Sequence, residues 1–382
     1  MYISSNPSLP IGGLLNILAR ERSDITASSG SRIYEYSQIR EAIADFILAV
    51  KMKPGDSVLL PGYICASVID PFEKLGIKVV FYPVDQTLTP EANAVRELLL
   101  QKPKAILIVH YFGFAARVDA VIAECREQGV WIIEDCAHTL PLPDSEVMGR
   151  LGDVTMFSLP KLLPVPDGAV IGVNNASLTW PEAPTRVNRK LLLANILWQA
   201  ANTMEVFVGA SLRTRLREKR SATRMITALR EPAVASGQLA TNGKLPSYHR
   251  FRMSPVAQRI LRQIDLAAVT QRRQENYRWL KTALKSVKGA RPVFGDLEPS
   301  GAPLGFPIIV EQRDAVRLKL MAGGIDPRPI WSGLPLQVPT SGFSDARYVA
   351  AHNIVLPVHQ DLRPKALAHI VSALERAIAT SS

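Results

Sequence analysis

The sequence predicts an α/β fold in which a mainly parallel sheet, flanked by helices, is followed by a small C-terminal α/β domain. Three observations predict it. Short continuous apolar runs bounded by turn residues recur between about residues 54 and 175, helical patterns separate them, and a shorter strand–helix alternation resumes after residue 290. Continuous apolar strands of this kind belong to a sheet covered on both faces.

The elements follow in order. Pro54-Gly55-Asp56 is a turn, and SVLLP (57–61) is the strand after it. IKVVFYPV (77–84), KAILIVHYFG (104–113), VWIIED (130–135), VTMFSL (154–159) and GAVIGV (168–173) are further strands. VDAVIAECREQG (118–129) is a helix closed by Gly129. Residues 189–212 form an apolar helical stretch that covers the sheet, lines a dimer seam or lies at an interface with a basic flank. The flank is Arg213, Arg215, Arg217, Lys219, Arg220 and Arg224. One long amphipathic helix is expected from 254 to about 289. The remainder holds strands at 305–310 and 353–358, a Pro-rich loop at 325–339 and a final helix at 364–379. Residues 1–245, the N-terminal 36 included, are read as the large domain. Residues 246–382 are read as a connecting helix and the small domain.

Composition narrows the class. A chain of 382 residues with 47% hydrophobic content buries a large core and is not generally disordered. Three cysteines, Cys65, Cys125 and Cys136, form no disulfide framework or zinc pattern, which fits a reducing cytoplasm. No basic-then-apolar leader opens the sequence, and no run reaches the length of a membrane span. A net charge of +11 favours anionic partners: phosphorylated metabolites, nucleic acid or a lipid surface. No helix-turn-helix or aromatic-interleaved basic motif supports nucleic acid.

Parallel sheets bind ligands at the carboxyl ends of their strands, which places His110, Asp135, His138 and Ser158 near one crevice. Asp135 and His138, in IIEDCAH, lack further ligands spaced for a metal, and no nucleophile-elbow motif points to a hydrolase. Lys161 stands alone in the apolar segment FSLPKLLPVPDGAVI (157–171). Either it snorkels outward, or burial depresses its pKa and it acts as a Schiff-base amine. His110 and His359 are read as structural. Trp331 lines a substrate entrance or packs.

Taken in order, PGDSVLLPGYICASVID (54–70), GIKVVFYPVD (76–85), KAILIVHYFGFAARVDAV (104–121), VWIIEDCAHTL (130–140), GRLGDVTMFSL (149–159), PDGAVI (166–171) and RFRMSPVAQRIL (250–261) resemble the DegT/DnrJ/EryC1/StrS family, as do GIDPRPIW (324–331) and NIVLPVHQDL (353–362). These are sugar aminotransferases of the pyridoxal-phosphate (PLP) fold type I, and the resemblance implies a seven-stranded-type sheet in the large domain. It implies that Lys161 carries PLP as a Schiff base, that Asp135 pairs with the pyridine nitrogen, that His138 bonds the ring oxygen and that Ser158 helps hold the phosphate. Four positions depart from the family pattern. Gln38-Ile39-Arg40-Glu41 replaces a Ser-Gly-Thr-type phosphate loop, with Arg40 adding a positive and Glu41 a negative charge. Cys65 stands where an aromatic stacks on the ring. The lysine segment is shortened. Arg250 stands where a partner-subunit asparagine reaches the phosphate.

The resemblance further implies an aminotransferase moving an amino group from glutamate to a nucleotide-linked keto-sugar, in a homodimer with a shared site. Its product enters polysaccharide, glycolipid or antibiotic-sugar synthesis. A lyase or dehydratase of the same fold is one alternative, against which Lys161 argues. A PLP-deficient regulator is another. Weak contact of 189–224 with an anionic membrane is compatible with the first reading.

Overall fold

The computed structural model describes residues 1–8, 30–142, 148–208, 249–297, 301–328 and 330–381. The basic residues from Arg213 to Arg224 lie outside the described residues.

Seven strands form the large sheet: β1 (Arg32–Tyr36), β2 (Ser57–Pro61), β3 (Lys78–Tyr82), β4 (Ala105–Val109), β5 (Trp131–Asp135), β6 (Val154–Ser158) and β7 (Ala169–Val173). Their spatial order is β1-β7-β6-β5-β4-β2-β3. The pairings among β3, β2, β4, β5 and β6 are parallel, whereas β7 runs antiparallel to both β6 and β1. Every residue of β4 and β7 is buried, as strands covered on both faces require. Four helices alternate with these strands: α1 (Ile39–Ala49), α2 (Ala66–Lys74), α3 (Ala92–Leu99) and α4 (Asp119–Glu127). The chain turns to opposite sides between β2 and β4, the switch point at which such sheets open a crevice.

The strand read over 104–113 stops at Val109, and a 3-10 turn follows at Tyr111–Gly113. Phe112 takes φ +57° and Gly113 φ +91° there, which no strand tolerates. Helix α5 (Arg189–Val208) matches the apolar stretch as far as the described residues run.

The helix expected as one piece from 254 is two: α6 (Pro255–Leu261) and α7 (Leu266–Ala283). Each has its own side-chain cap. Ser254 Oγ accepts from the Ala257 N–H and Asp265 Oδ1 from the Ala268 N–H, and a capping carboxylate marks a start rather than an interior.

The smaller sheet is antiparallel, ordered β10 (Asn353–Leu356), β9 (Phe306–Ile309), β8 (Arg291–Pro292), and α8 (Arg313–Ala322), α9 (Ser344–His352) and α10 (Pro364–Ala379) accompany it. One apolar core extends beneath both sheets, from Val58 and Ile106 to Phe306 and Leu356. A second cluster of Leu159, Leu162, Leu163, Val165 and Met253 lies around the turn that carries Lys161. The N-terminal residues touch both parts, Ser4 donating to Asn202 Oδ1 of α5 at 2.9 Å. Ile3 bridges Ile325, and Ser5 donates to Asp326 Oδ2 at 2.8 Å.

Candidate active site

Strand alternation separates the two acids at the end of β5. Glu134 turns to one face and is consumed by structure. Its Oε1 accepts from His110 Nε2 (2.8 Å) and Gly149 N (2.5 Å), and its Oε2 accepts from Leu151 N (2.9 Å), Gly152 N (3.0 Å) and Thr155 Oγ1 (3.2 Å). Burial alone would raise this carboxyl, but the His110 bond and the backbone N–H groups hold it below the ordinary glutamate value. A Cβ at Gly152 would sit 2.8 Å from the Glu134 Cβ, so the turn needs glycine there. Ligand-type atoms of His110, Glu134 and Cys136 lie within 4.8 Å of one another. With five donors already on Glu134, that cluster holds the 149–152 turn. His110 Nδ1 accepts from Ala116 N at 3.0 Å, in keeping with its structural reading.

Asp135 takes the other face and lines a cavity of about 300 Å³ at the carboxyl ends of the strands. Ser158, at the end of β6, and Lys161, on the 3-10 turn Leu159–Lys161, line it too. So do Arg40 and Cys65, at the N-termini of α1 and α2. Burial pushes Asp135 upward, while Lys161, the Ala137 N–H at 2.8 Å and His110 pull it back. Burial pushes Lys161 below the ordinary lysine value, and the Asp135 carboxylate partly restores it. The two charges support each other.

The cavity's other end is shaped for an anion. Neither α1 nor α2 has a side-chain cap on its first N–H groups, and both N-termini open here. A helix N-terminus with free N–H groups and a positive dipole end attracts phosphate. Arg40 and Ser158 add a cation and a hydroxyl. Gln38 Oε1, at the same place, is buried without a hydrogen-bond partner and, as an acceptor, calls for a donor rather than for the anion. The donor set therefore fits PLP: a carboxylate for the ring nitrogen, an amine, and an anion cradle of the right sign.

Three predicted residues stand elsewhere. Glu41 is buried behind the cradle and accepts from Phe251 N at 3.2 Å. Arg250 Nη1 reaches both oxygens of buried Asp45 (2.6 and 2.8 Å), so its charge is engaged within its own chain. His138 is buried against Phe112 and Trp331, and Trp331 in turn lines the cavity. Burial holds the His138 imidazole well below its usual pKa, and Nδ1 accepts from Phe112 N, so the proton sits on Nε2. His359 is likewise structural: its Nε2 meets the Ser4 carbonyl at 3.0 Å, and burial lowers it to about 3.

Sequence reasoning missed Asp167, Asn195 and Arg273. Asp167 lines the cavity, with its oxygens held by the Ser254 N–H and hydroxyl. Asn195 lines it from α5, and Nδ2 donates to Pro166 O at 2.7 Å. The available signal was a polar stripe, Asn195, Gln199 and Asn202, at steps of four and three along an apolar helix. Arg273 is fully buried and donates to Leu162 O (2.8 Å), Pro303 O (2.9 Å) and Gln360 Oε1 (3.0 Å). It ties α7 to the loop after Lys161, and burial lowers it to about 9. Nothing in QRRQENY separates it from Arg272 except the buried spacing Arg273, Asn276, Tyr277, Leu280.

Comparison with known proteins agrees with this geometry. Over 159 residues the chain is 31% identical to Protein MosB of Rhizobium meliloti, covering 41% of this chain and 31% of that protein. Over 128 residues it is 30% identical to the dTDP-4-dehydro-2,3,6-trideoxy-D-glucose 4-aminotransferase of Saccharopolyspora spinosa, covering 32% and 33%. The chain thus spans about a third of the length of the curated relatives it matches. In structure it is similar to Helicobacter pylori PseC, an aminotransferase involved in the biosynthesis of pseudoaminic acid. The TM-score is 0.69 at 14% identity, over 99% of both chains, a likeness of fold. Residues 41–178, which contain most of α1, strands β2–β7, Asp135 and Lys161, match the model of the DegT/DnrJ/EryC1/StrS aminotransferase family.

Proposed function

We propose that the protein is a PLP-dependent aminotransferase that moves an amino group from glutamate to a keto-sugar carried on a nucleotide. One observation carries this reading: Asp135 and Lys161, from two neighbouring strand ends, line one cavity against two uncapped helix N-termini. When bound, PLP supplies an electron sink for the carbon that gains or loses the amino group.

The chain's own residues do the rest. Asp135, which burial raises and Lys161 and the Ala137 N–H draw back toward the anion, would face a ring nitrogen and favour a proton on it. Lys161, its pKa lowered by burial, is the group able to take a proton from the reacting carbon and return it. Arg40, Ser158 and the first N–H groups of α1 hold the phosphate. His138 acts at one remove, by packing on the Trp331 ring that lines the cavity. The sugar aminotransferase among the relatives and the net charge of +11 support a diphosphate-bearing sugar as acceptor. The reading carries with it a cytoplasmic homodimer whose two sites share residues.

The test is the visible absorption of the purified protein with PLP, before and after glutamate, beside Lys161→Ala. The expected outcome is a visible band that glutamate bleaches, and PLP that borohydride fixes to the parent but not to the variant. A folded parent with no band at saturating PLP overturns the proposal and favours a regulator on the same fold. A band that glutamate leaves unchanged overturns the donor.

A further inference from the structure

The backbone of Trp331 takes φ +48°, a left-handed conformation that a non-glycine residue keeps only where its surroundings hold it. The carbonyl before it, Ile330 O, accepts from the Tyr63 hydroxyl and from Asn353 Nδ2, the latter at 3.2 Å. Asn353 Nδ2 also donates to Tyr63 Oη at 3.1 Å, and the Tyr111 hydroxyl donates to Tyr63 O. Three rings then brace the indole. Tyr63 and Tyr111 meet it edge-on, with centroids 5.1 and 6.0 Å away and planes 62° and 77° apart, and His138 lies at 5.2 Å. Tyr63, Tyr111 and His138 are all buried. The indole itself is half-buried and lines the cavity that holds Asp135 and Lys161. Among the described residues it is the only aromatic side chain in that lining, and every other lining residue stands at Asn195 or earlier.

We propose that Trp331 is the aromatic wall of the cofactor site, its indole lying against the ring of bound PLP. The inference rests on the PLP reading above. A protonated pyridine ring is electron-poor and an indole face is electron-rich, so the two attract beyond the area they bury. The edge-on tyrosines and the pinned Ile330 carbonyl fix the indole beforehand, so binding has little ordering left to supply. His138 acts on the cofactor through this ring. The contact also makes the C-terminal part a contributor to a cavity built by the rest of the chain, through one loop.

The experiment is titration of the full chain with PLP, for the parent, Trp331→Phe and Trp331→Ala. Affinity is read by ultrafiltration, and the contact by quenching of tryptophan emission. The expected result is affinity lowered about tenfold or more in Trp331→Ala and about threefold or less in Trp331→Phe. The parent is expected to lose a larger fraction of its emission at saturating PLP than Trp331→Phe, which lacks the tryptophan nearest the ring. A role in loop packing alone leaves that difference at zero. Circular dichroism checks folding, and the phenylalanine variant gives the emission readout even where the alanine variant fails to fold. A folded alanine variant with the parent's affinity overturns the proposal. So does equal fractional quenching in the parent and Trp331→Phe, and so does an equal loss of affinity in both variants, which would assign the effect to packing. A parent that takes up no PLP overturns the PLP reading and this inference together, whereas a parent that binds PLP beside unaltered variants overturns the inference alone.

Discussion

Burial raises the Glu41 carboxyl to about 7, beside a helix N-terminus that opens on the candidate anion cradle. An unfolded glutamate titrates near ~4.3. Below that value both states are protonated and the fold has its full stability. As pH rises toward 7 the unfolded chain ionises and the folded one resists, so stability is lost across that window and stays lost above it. Glu41→Gln keeps an acceptor for the Phe251 N–H and removes the titration. It is expected to be more stable than the parent at pH 8 by on the order of 2–3 kcal/mol, and equal to it near pH 4, as urea melts at the two pH values would read. It also removes a negative charge near the phosphate end, so tighter PLP binding at pH 8 is expected. How such residues can be read from sequence differs case by case. Asp135 and Lys161 announced themselves as a charge at a strand end and a charge in an apolar run. Glu41 was legible only as a departure from a family pattern. Arg273 was not legible at all, because its role depends on carbonyls of Leu162 and Pro303, more than a full element away in either direction.

At the scale of elements, apolar runs located every strand of the parallel part, since its inner strands are buried on both faces and have no reason to alternate, while the half-buried edge strand β3 still carries Val79, Val80 and Phe81 in a row. The partly exposed β1 (RIYEY) offered no such run. The break between α6 and α7 was hidden because the amphipathic spacing continues across it, while the caps that make it are single side chains. Ser254 does two jobs at this break: it caps α6 through the Ala257 N–H at 3.1 Å and donates to the buried carboxylate of Asp167 at 2.7 Å. Ser254→Ala removes both. A loss of about 1–3 kcal/mol in denaturant melts is the expected outcome, with Ser254→Thr retaining most of it. Because Asp167 also lines the cavity, the alanine variant should change PLP affinity as well, which a cap remote from the site would not do.

For the molecule as a whole, two sheets share one core, and the seam between them is closed from both ends of the chain. The sequence showed where the strands lie but not that residues 1–8 cross to the C-terminal part, because a bridge such as Ile3–Ile325 leaves no local pattern. Ile3 is 3% exposed, and its backbone bonds Gly324 O (2.7 Å) and the Asp326 N–H (2.9 Å). Ile3→Ala is expected to cost about 3 kcal/mol, seen as a lower urea midpoint with an unchanged slope. The same crossing bears on synthesis. Ser4 bonds His359, a partner 355 positions later in the chain. At ordinary translation rates that partner leaves the ribosome roughly 20 to 70 s after Ser4 does. For most of that interval Ile3 lacks its bridge partner Ile325, and the growing chain carries it open to proteases and chaperones.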